Sequence, residues 1–168
     1  MEVLLSCMSS SPIDIVKRTN VVSDITVVNQ CSNDYISKIC TENGYRLQII
    51  ESSDRGLSKS RNMAIRYASS DICLLCDDDE ILYDNYANLI ESAFEENPDA
   101  DLIAFALDYS DKKYPKKKKK IGYLNALKIS SVQITFRRNA IIENKIVFDE
   151  RLGAGTGNGA GEEQKFLY

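Results

Sequence analysis

The sequence predicts an α/β domain with a mostly parallel central sheet flanked by helices. Three observations predict it. Short β-branched or apolar runs alternate with helical segments through the first two thirds of the chain. The run "DICLLCD" (71–77) is apolar almost throughout, as a central parallel strand covered on both faces must be. Acids pile up directly at its end, in "CDDDE" (76–80), where ligands of such sheets gather.

"VLLSCM" (3–8) reads as a first strand; it lacks the basic start and the length of a signal peptide. "SPIDIVKRTN" (11–20) opens with Ser-Pro, a helix-start signal. "DITVVNQ" (24–30) is a second strand, ending in polar residues. In "DYISKICTENG" (34–44), Ile36, Ile39 and Cys40 fall on one helical face, with Gly44 as the expected C-cap. "RLQIIES" (46–52) is a third strand. "LSKSRNMAIRYASS" (57–70) places Leu57, Ala64, Ile65 and Ala68 on one face of a helix. Ser58 is its expected N-cap, which puts Arg61 in the first turn.

The run 71–77 is the fourth strand. "DNYANLIESAFEEN" (84–97) carries Tyr86, Leu89, Ile90, Ala93 and Phe94 at helical spacing and is stopped by Pro98. "DLIAFALDY" (101–109) is a fifth strand. Beyond it, "SSVQITFRRNAI" (130–141) reads as a strand and turn, and "KIVFDERLG" (145–153) as another short strand. The glycine-rich "GAGTGNGAG" (153–161) is expected to be a mobile loop. Its loose G-x-G-x-x-A match at Gly155, Gly157 and Ala160 lacks the βαβ unit that a dinucleotide fingerprint requires. Residues 1–168 read as a single domain.

Composition narrows the chemistry. Hydrophobic content of 43% and charged content of 27% are those of a globular protein. The net charge of −4 disfavours nucleic acid as a partner. No apolar run approaches the length of a membrane span. Five cysteines without disulfide-like spacing fit a reducing cytoplasm, and Cys73 and Cys76 read as small residues of a buried strand. There is no histidine, so acid–base and metal chemistry must run on carboxylates. Oxygen ligands of that kind favour magnesium, manganese or calcium.

Lys112, Lys113, Lys116, Lys117, Lys118, Lys119 and Lys120 crowd nine residues within the stretch 110–122. This is an exposed loop, and a candidate for peripheral contact with anionic lipid or a phosphorylated acceptor.

Carboxylates about 4 Å apart repel by roughly 1 kcal/mol in water and more at a protein surface. In an extended strand Asp77 and Asp79 face one side and Asp78 the other. A divalent cation held there would cancel the repulsion and bind a diphosphate; acids of a surface turn are the alternative. Arg61 opposes its helix dipole, which suits a nearby bound anion or a neighbouring acid. Glu162 and Glu163, at the start of a short helix, are either dipole complements or candidates for a general base.

In order, "GLSKSRN", an apolar strand, "DDDE" and "FDERLGAG…GEEQKFL" resemble the family 2 glycosyltransferases. The resemblance covers most of the chain and is strongest in 54–85 and 136–168. It implies a GT-A, Rossmann-like fold and an inverting enzyme using nucleotide diphosphate sugars with Mg²⁺ or Mn²⁺, in bacterial surface polysaccharide synthesis. It implies that Asp77 and Asp79 match the D-x-D motif, with Asp79 the better metal ligand and Asp77 nearer the ribose. Arg61 then belongs to donor binding and Glu163 matches the catalytic base, with Glu162 beside it. Ser9, Asn29, Gln30 and Asp78 complete the expected donor site.

This sequence departs from the pattern in three places. "SCMS" (6–9) stands where the first strand often ends Pro-Thr-Tyr-Asn. "NQCS" (29–32) stands where the second usually ends Asp-Asp-Gly-Ser, so Asn29 or Gln30 replaces an acid that reads uracil. The family normally continues with further helices, so part of its C-terminal region is expected to be missing. A uridine diphosphate sugar is the favoured donor and a glycan or lipid-linked molecule the acceptor, at the inner face of the membrane. A non-catalytic nucleotide-sugar or metal-binding module, and a nucleotidyltransferase on a related fold, are the competing readings.

Overall fold

A computed structural model describes residues 1–40, 43–108, 113–115, 117–159 and 161–167, apart from the side chains of Cys40 and Tyr123. Its strands form one sheet: β1 (Glu2–Cys7), β2 (Asp24–Gln30), β3 (Tyr35–Cys40), β4 (Arg46–Ser52), β5 (Ile72–Asp77), β6 (Leu102–Ala104) and β7 (Ile134–Arg137). Their order across the sheet is β3-β4-β2-β1-β5-β7-β6. The central four, β4-β2-β1-β5, run parallel. β3 pairs antiparallel with β4, and β7 antiparallel with both β5 and β6. The expected α/β class and mostly parallel core are what the chain adopts.

The helices are α1 (Pro12–Arg18), α2 (Leu57–Tyr67), α3 (Tyr86–Glu96), α4 (Tyr123–Ala126), α5 (Arg138–Glu143) and α6 (Glu162–Phe166), with a 3-10 turn over Ser131–Gln133. Strand alternation splits the core into two layers. On one face Val3, Leu5, Val27, Ile49, Leu74 and Cys76 pack against Ile15 and Val16 of α1 and against Tyr86, Ile90 and Phe94 of α3. On the other, Leu4, Val28, Ile50, Leu75 and Phe136 pack against Ala64 and Ile65 of α2, Ile141 of α5 and Phe166 of α6. Both faces are covered, which is why β1 is buried along its whole length. On α3 the buried stripe is Tyr86, Ile90 and Phe94, while Leu89 turns outward.

Three expectations are corrected. Residues 34–44 do not form a helix; Tyr35–Cys40 is an edge strand, with Ile36 opposite Ile50 and Ile39 opposite Leu47. The helical spacing of Ile36 and Ile39 was too sparse to bury a face. The open edge of β4 offered that segment's backbone a full ladder of hydrogen bonds instead. Gly44, at φ +80°, lies in the β3–β4 connection rather than at a helix end. Residues 145–153 form no strand. Asn62 pins that backbone, accepting from the Phe148 N–H at 2.8 Å and donating to the Phe148 carbonyl at 2.9 Å. The fifth strand shrinks to Leu102–Ala104, and the strand in 130–141 is followed by α5.

Lys112, Lys116 and Ala160 lie outside the described residues; Lys113, Lys117, Lys118, Lys119 and Lys120 are exposed. Among the described residues no helix is long and apolar enough to cross a membrane.

Candidate active site

The carboxyl ends of β1, β2 and β5 meet the start of α2 at one edge of the sheet. α2 begins after Gly56, whose φ of +120° lets the chain reverse out of β4. Ser58 is not the N-cap. It sits one residue inside the helix, and its Oγ donates to the Leu152 carbonyl at 2.8 Å. Arg61 is therefore in the second turn and points inward, only 2% exposed.

A buried guanidinium needs partners. Arg61 Nη2 donates to Ser131 Oγ at 2.7 Å and lies 3.1 Å from Asp77 Oδ1. Its Nη1 faces Glu163 Oε1 at 3.5 Å and Glu162 Oε1 at 3.7 Å. The guanidinium carbon stands 5.5 Å from the centre of the Phe148 ring. One cation thus gathers three carboxylates from β5 and α6. Neither Arg61 Nη1 nor Glu162 Oε2 finds a hydrogen bond among the described residues, though both atoms are buried.

α6 is positioned by its far end. Phe166 stacks on Phe148, with centroids 4.1 Å apart and planes 4° from parallel, and meets Phe136 edge-on. Gly161 enters α6 at φ +106°, which brings Glu162 and Glu163 in at its first turn. Glu163 is the more accessible, with its side chain 17% exposed against 6% for Glu162. The glycine loop is folded onto α2: the Leu57 N–H donates to the Ala154 carbonyl at 3.1 Å.

β5 ends at Asp77, and the chain turns at Asp78 and Asp79. Strand alternation therefore stops before Asp79 and does not place it beside Asp77. Asp79 is exposed, while Asp78 is half-buried and its carbonyl accepts from Arg18 Nη2 at 2.7 Å. Burial pushes the Asp77 carboxyl up; Arg61 opposes the shift, and the negative charges of Asp79 and Glu163 add to it. Glu80, the last of the four consecutive acids, accepts from the Asp77 N–H at 3.4 Å. Burial, and next the charge of Asp77, raise Glu80 to about 7.

At the other end of the site, Asn29 holds Ser9 from both sides. Its Oδ1 accepts the Ser9 N–H at 2.8 Å and its Nδ2 donates to the Ser9 carbonyl at 2.9 Å. Nδ2 also reaches Glu51 at 3.2 Å, and the Cys31 thiol donates to the same carboxylate at 2.6 Å. Gln30 Oε1 accepts the Gly56 N–H at 2.8 Å. The side-chain amides of Asn29 and Gln30 are thus both tied to backbone. Glu51 is the carboxylate beside them, opposite Asn29 in the β2–β4 register. Neither Glu51 nor Ser131 was visible in the motifs, because both are placed by strand pairing and a turn.

The sequence matches the family model "Glycosyl transferase family 2" over residues 13–156. The chain belongs to that family.

No curated protein matches the chain in sequence. Solved structures resemble this family 2 chain in fold. Staphylococcus aureus TarS 1–349 in complex with UDP-GlcNAc is 18% identical, with a TM-score of 0.68, covering 98% of this chain and 51% of TarS 1–349. TarS 1–349 without a named ligand gives 17% and 0.66, covering 97% and 52%. The mannosyltransferase PcManGT from Pyrobaculum calidifontis, in complex with GDP-Man and Mn²⁺, gives 14% and 0.59, covering 91% and 48%. The chain spans about half the length of these proteins.

Among the described residues, no three acidic or cysteine side chains form a ready-made metal cage. The donor set nevertheless suits a hard cation. Asp77, Asp79 and Glu80 supply only oxygens; burial first, and the charge of neighbouring acids second, raises both Asp77 and Glu80. Magnesium typically takes one or two protein carboxylates and fills the rest of its shell with water and phosphate oxygens.

Proposed function

We propose that this chain is the donor-binding and catalytic part of a glycosyltransferase that moves a sugar from a nucleotide diphosphate sugar to an acceptor hydroxyl with inversion. The observation that carries the reading is the convergence of Asp77, Glu162 and Glu163 on the buried Arg61. It lies at the carboxyl end of parallel strands, where α/β sheets bind ligands, in a chain of this family.

Asp79, with Asp77, would hold Mg²⁺ or Mn²⁺. A bound cation supplies charge neutralisation for the diphosphate leaving group. Arg61 fixes Asp77 and the start of α6 in one geometry, so the donor meets a preorganised site. Ser9, Asn29, Gln30 and Asp78 frame the nucleoside end. Asn29 acts there by holding the Ser9 backbone in place. Glu163, the more accessible of the two α6 acids, takes the proton of the acceptor hydroxyl. The acceptor oxygen bonds to the anomeric carbon as the bond to the diphosphate oxygen breaks on the opposite face.

Uridine is the nucleoside favoured by the family resemblance; structures of this fold have been solved with UDP and UDP-GlcNAc, and also with GDP-Man. A role at the inner face of the bacterial membrane, building a surface polysaccharide, follows from the same reading. The protein is incubated with a panel of nucleotide sugars, with and without Mn²⁺, while release of nucleoside diphosphate is followed. Metal-dependent release from one donor is the expected result. No turnover and no donor binding across the panel would overturn the proposal.

A further inference from the structure

The 3-10 turn that carries Ser131 also borders a cavity of about 690 Å³ through Gln133. Lys113, Lys117, Lys118, Lys119, Lys120 and Lys128 line it, and among the described residues no carboxylate does. The whole chain carries a net charge of −4, so six ammonium groups around one hollow are a segregation of charge. Lys118 is engaged by Glu96 at 2.6 Å. The apolar part of the lining, its floor, is made by Ala104 and Phe105 at the end of β6 together with Ile121 and Ile129. Gln133 fixes that floor, its Nε2 donating to the Phe105 carbonyl at 2.8 Å.

The combination restricts the occupant. A lysine run that only needed solvation would have no reason to ring an apolar hollow. A small inorganic anion would use the lysines but leave the floor wet. A flat bilayer would use the lysines without entering a cavity. Lysine stems can cover apolar surface while their charges stay at the rim. An amphiphile with a phosphate joined to a hydrocarbon chain satisfies both surfaces, and the volume is in the range of small-ligand sites. The same 3-10 turn links the cavity to the carboxylate centre: Gln133 lines the cavity, and Ser131 Oγ accepts from Arg61 Nη2 at 2.7 Å.

We propose that this cavity binds the lipid-phosphate part of the acceptor, chain on the floor and phosphate among the lysines. Its assignment to the acceptor rests on the transferase reading above.

Farnesyl phosphate, below its micelle concentration, is titrated calorimetrically into the full chain, with farnesol and inorganic phosphate as controls. Saturable one-to-one binding of farnesyl phosphate is expected, at least about 10-fold tighter than either control, and weakened by salt. A Lys113→Gln/Lys128→Gln double variant, altered at two lining lysines from different segments, should lose about 10-fold or more in affinity. Lys38→Gln, on the distant edge strand β3, should lose none. Farnesol binding as tightly would make the hollow a plain apolar pocket, and inorganic phosphate binding as tightly would make it a plain anion site. Equal binding by both variants would mean diffuse surface attraction. Each of these results overturns the proposal. UDP is titrated in parallel: its failure to bind counts against the transferase reading alone, and failure of farnesyl phosphate against the cavity alone.

Discussion

Arg61 on α2 and Asp77 at the end of β5 are joined by two contacts from one nitrogen, 3.1 Å to Oδ1 and 3.3 Å to Oδ2. The arginine is almost wholly buried. Removing it leaves Asp77, Glu162 and Glu163 crowded without a counter-charge. Arg61→Ala should therefore destabilise the fold by about 3–5 kcal/mol, read as a lower midpoint in urea unfolding. A loss below about 1 kcal/mol would show that solvent, and not Arg61, neutralises these acids.

Asp79 stands apart from that network, exposed in the turn after β5. Asp79→Ala should change stability by no more than about 0.5 kcal/mol while abolishing metal-dependent donor turnover. EDTA should do the same to the unmodified protein. Full turnover in EDTA would remove the metal from the mechanism.

Glu163→Gln should keep donor affinity, measured by calorimetry, and lose transfer by a factor on the order of 10²–10⁴. If Glu162→Gln is the inactive variant and Glu163→Gln is active, the base is the more buried neighbour. Asp149 is a poor substitute for either. Ion pairs with Arg151 and then Lys165 hold its carboxyl well below the usual range, so it stays ionised and occupied.

Gly153 supports the same helix start from below. Its φ is +96°, and a Cβ there would stand 3.2 Å from the Glu162 carboxylate and from Ser58 Oγ. Gly157 has a similar φ of +85° but open space around it. Gly157→Ala should cost about 1 kcal/mol from backbone strain alone. Gly153→Ala should cost about 2–3 kcal/mol and reduce transfer as well, because Glu162 must move. Equal effects in urea unfolding and in transfer would show that the contact carries no weight.

Glu80 makes stability depend on pH. Its carboxyl is raised from 4.5 to about 7 in the folded chain. The neutral form is favoured by folding, so this contribution is complete below pH 4.5 and is lost as pH rises to about 7. In EDTA, Glu80→Gln should flatten that limb and raise stability above pH 7. The gain should be on the order of 1 kcal/mol after allowance for partial solvent screening, or about 2–4 °C in Tm for a chain of this size. Parallel melts at pH 5 and pH 8 test the sign: a variant less stable than the parent at pH 8 contradicts it.

Much was decided by the sequence alone. The apolar runs of β1, β2, β4 and β5 and the stripes of α2 and α3 are local patterns, and each needs burial against an opposite layer. The order of "GLSKSRN", "DDDE" and "GEEQKFL" already indicated the family, because those residue types cluster where strand ends meet a helix start. Tertiary structure alone decided that Tyr35–Cys40 extends the sheet, since an open strand edge outweighed a weak helical pattern. It also decided the inward turn of Arg61. Ser131 lies 70 residues away in sequence, and the α6 acids about a hundred. A buried charge takes its environment from whatever long-range packing brings to it, and local sequence spacing carries no record of that.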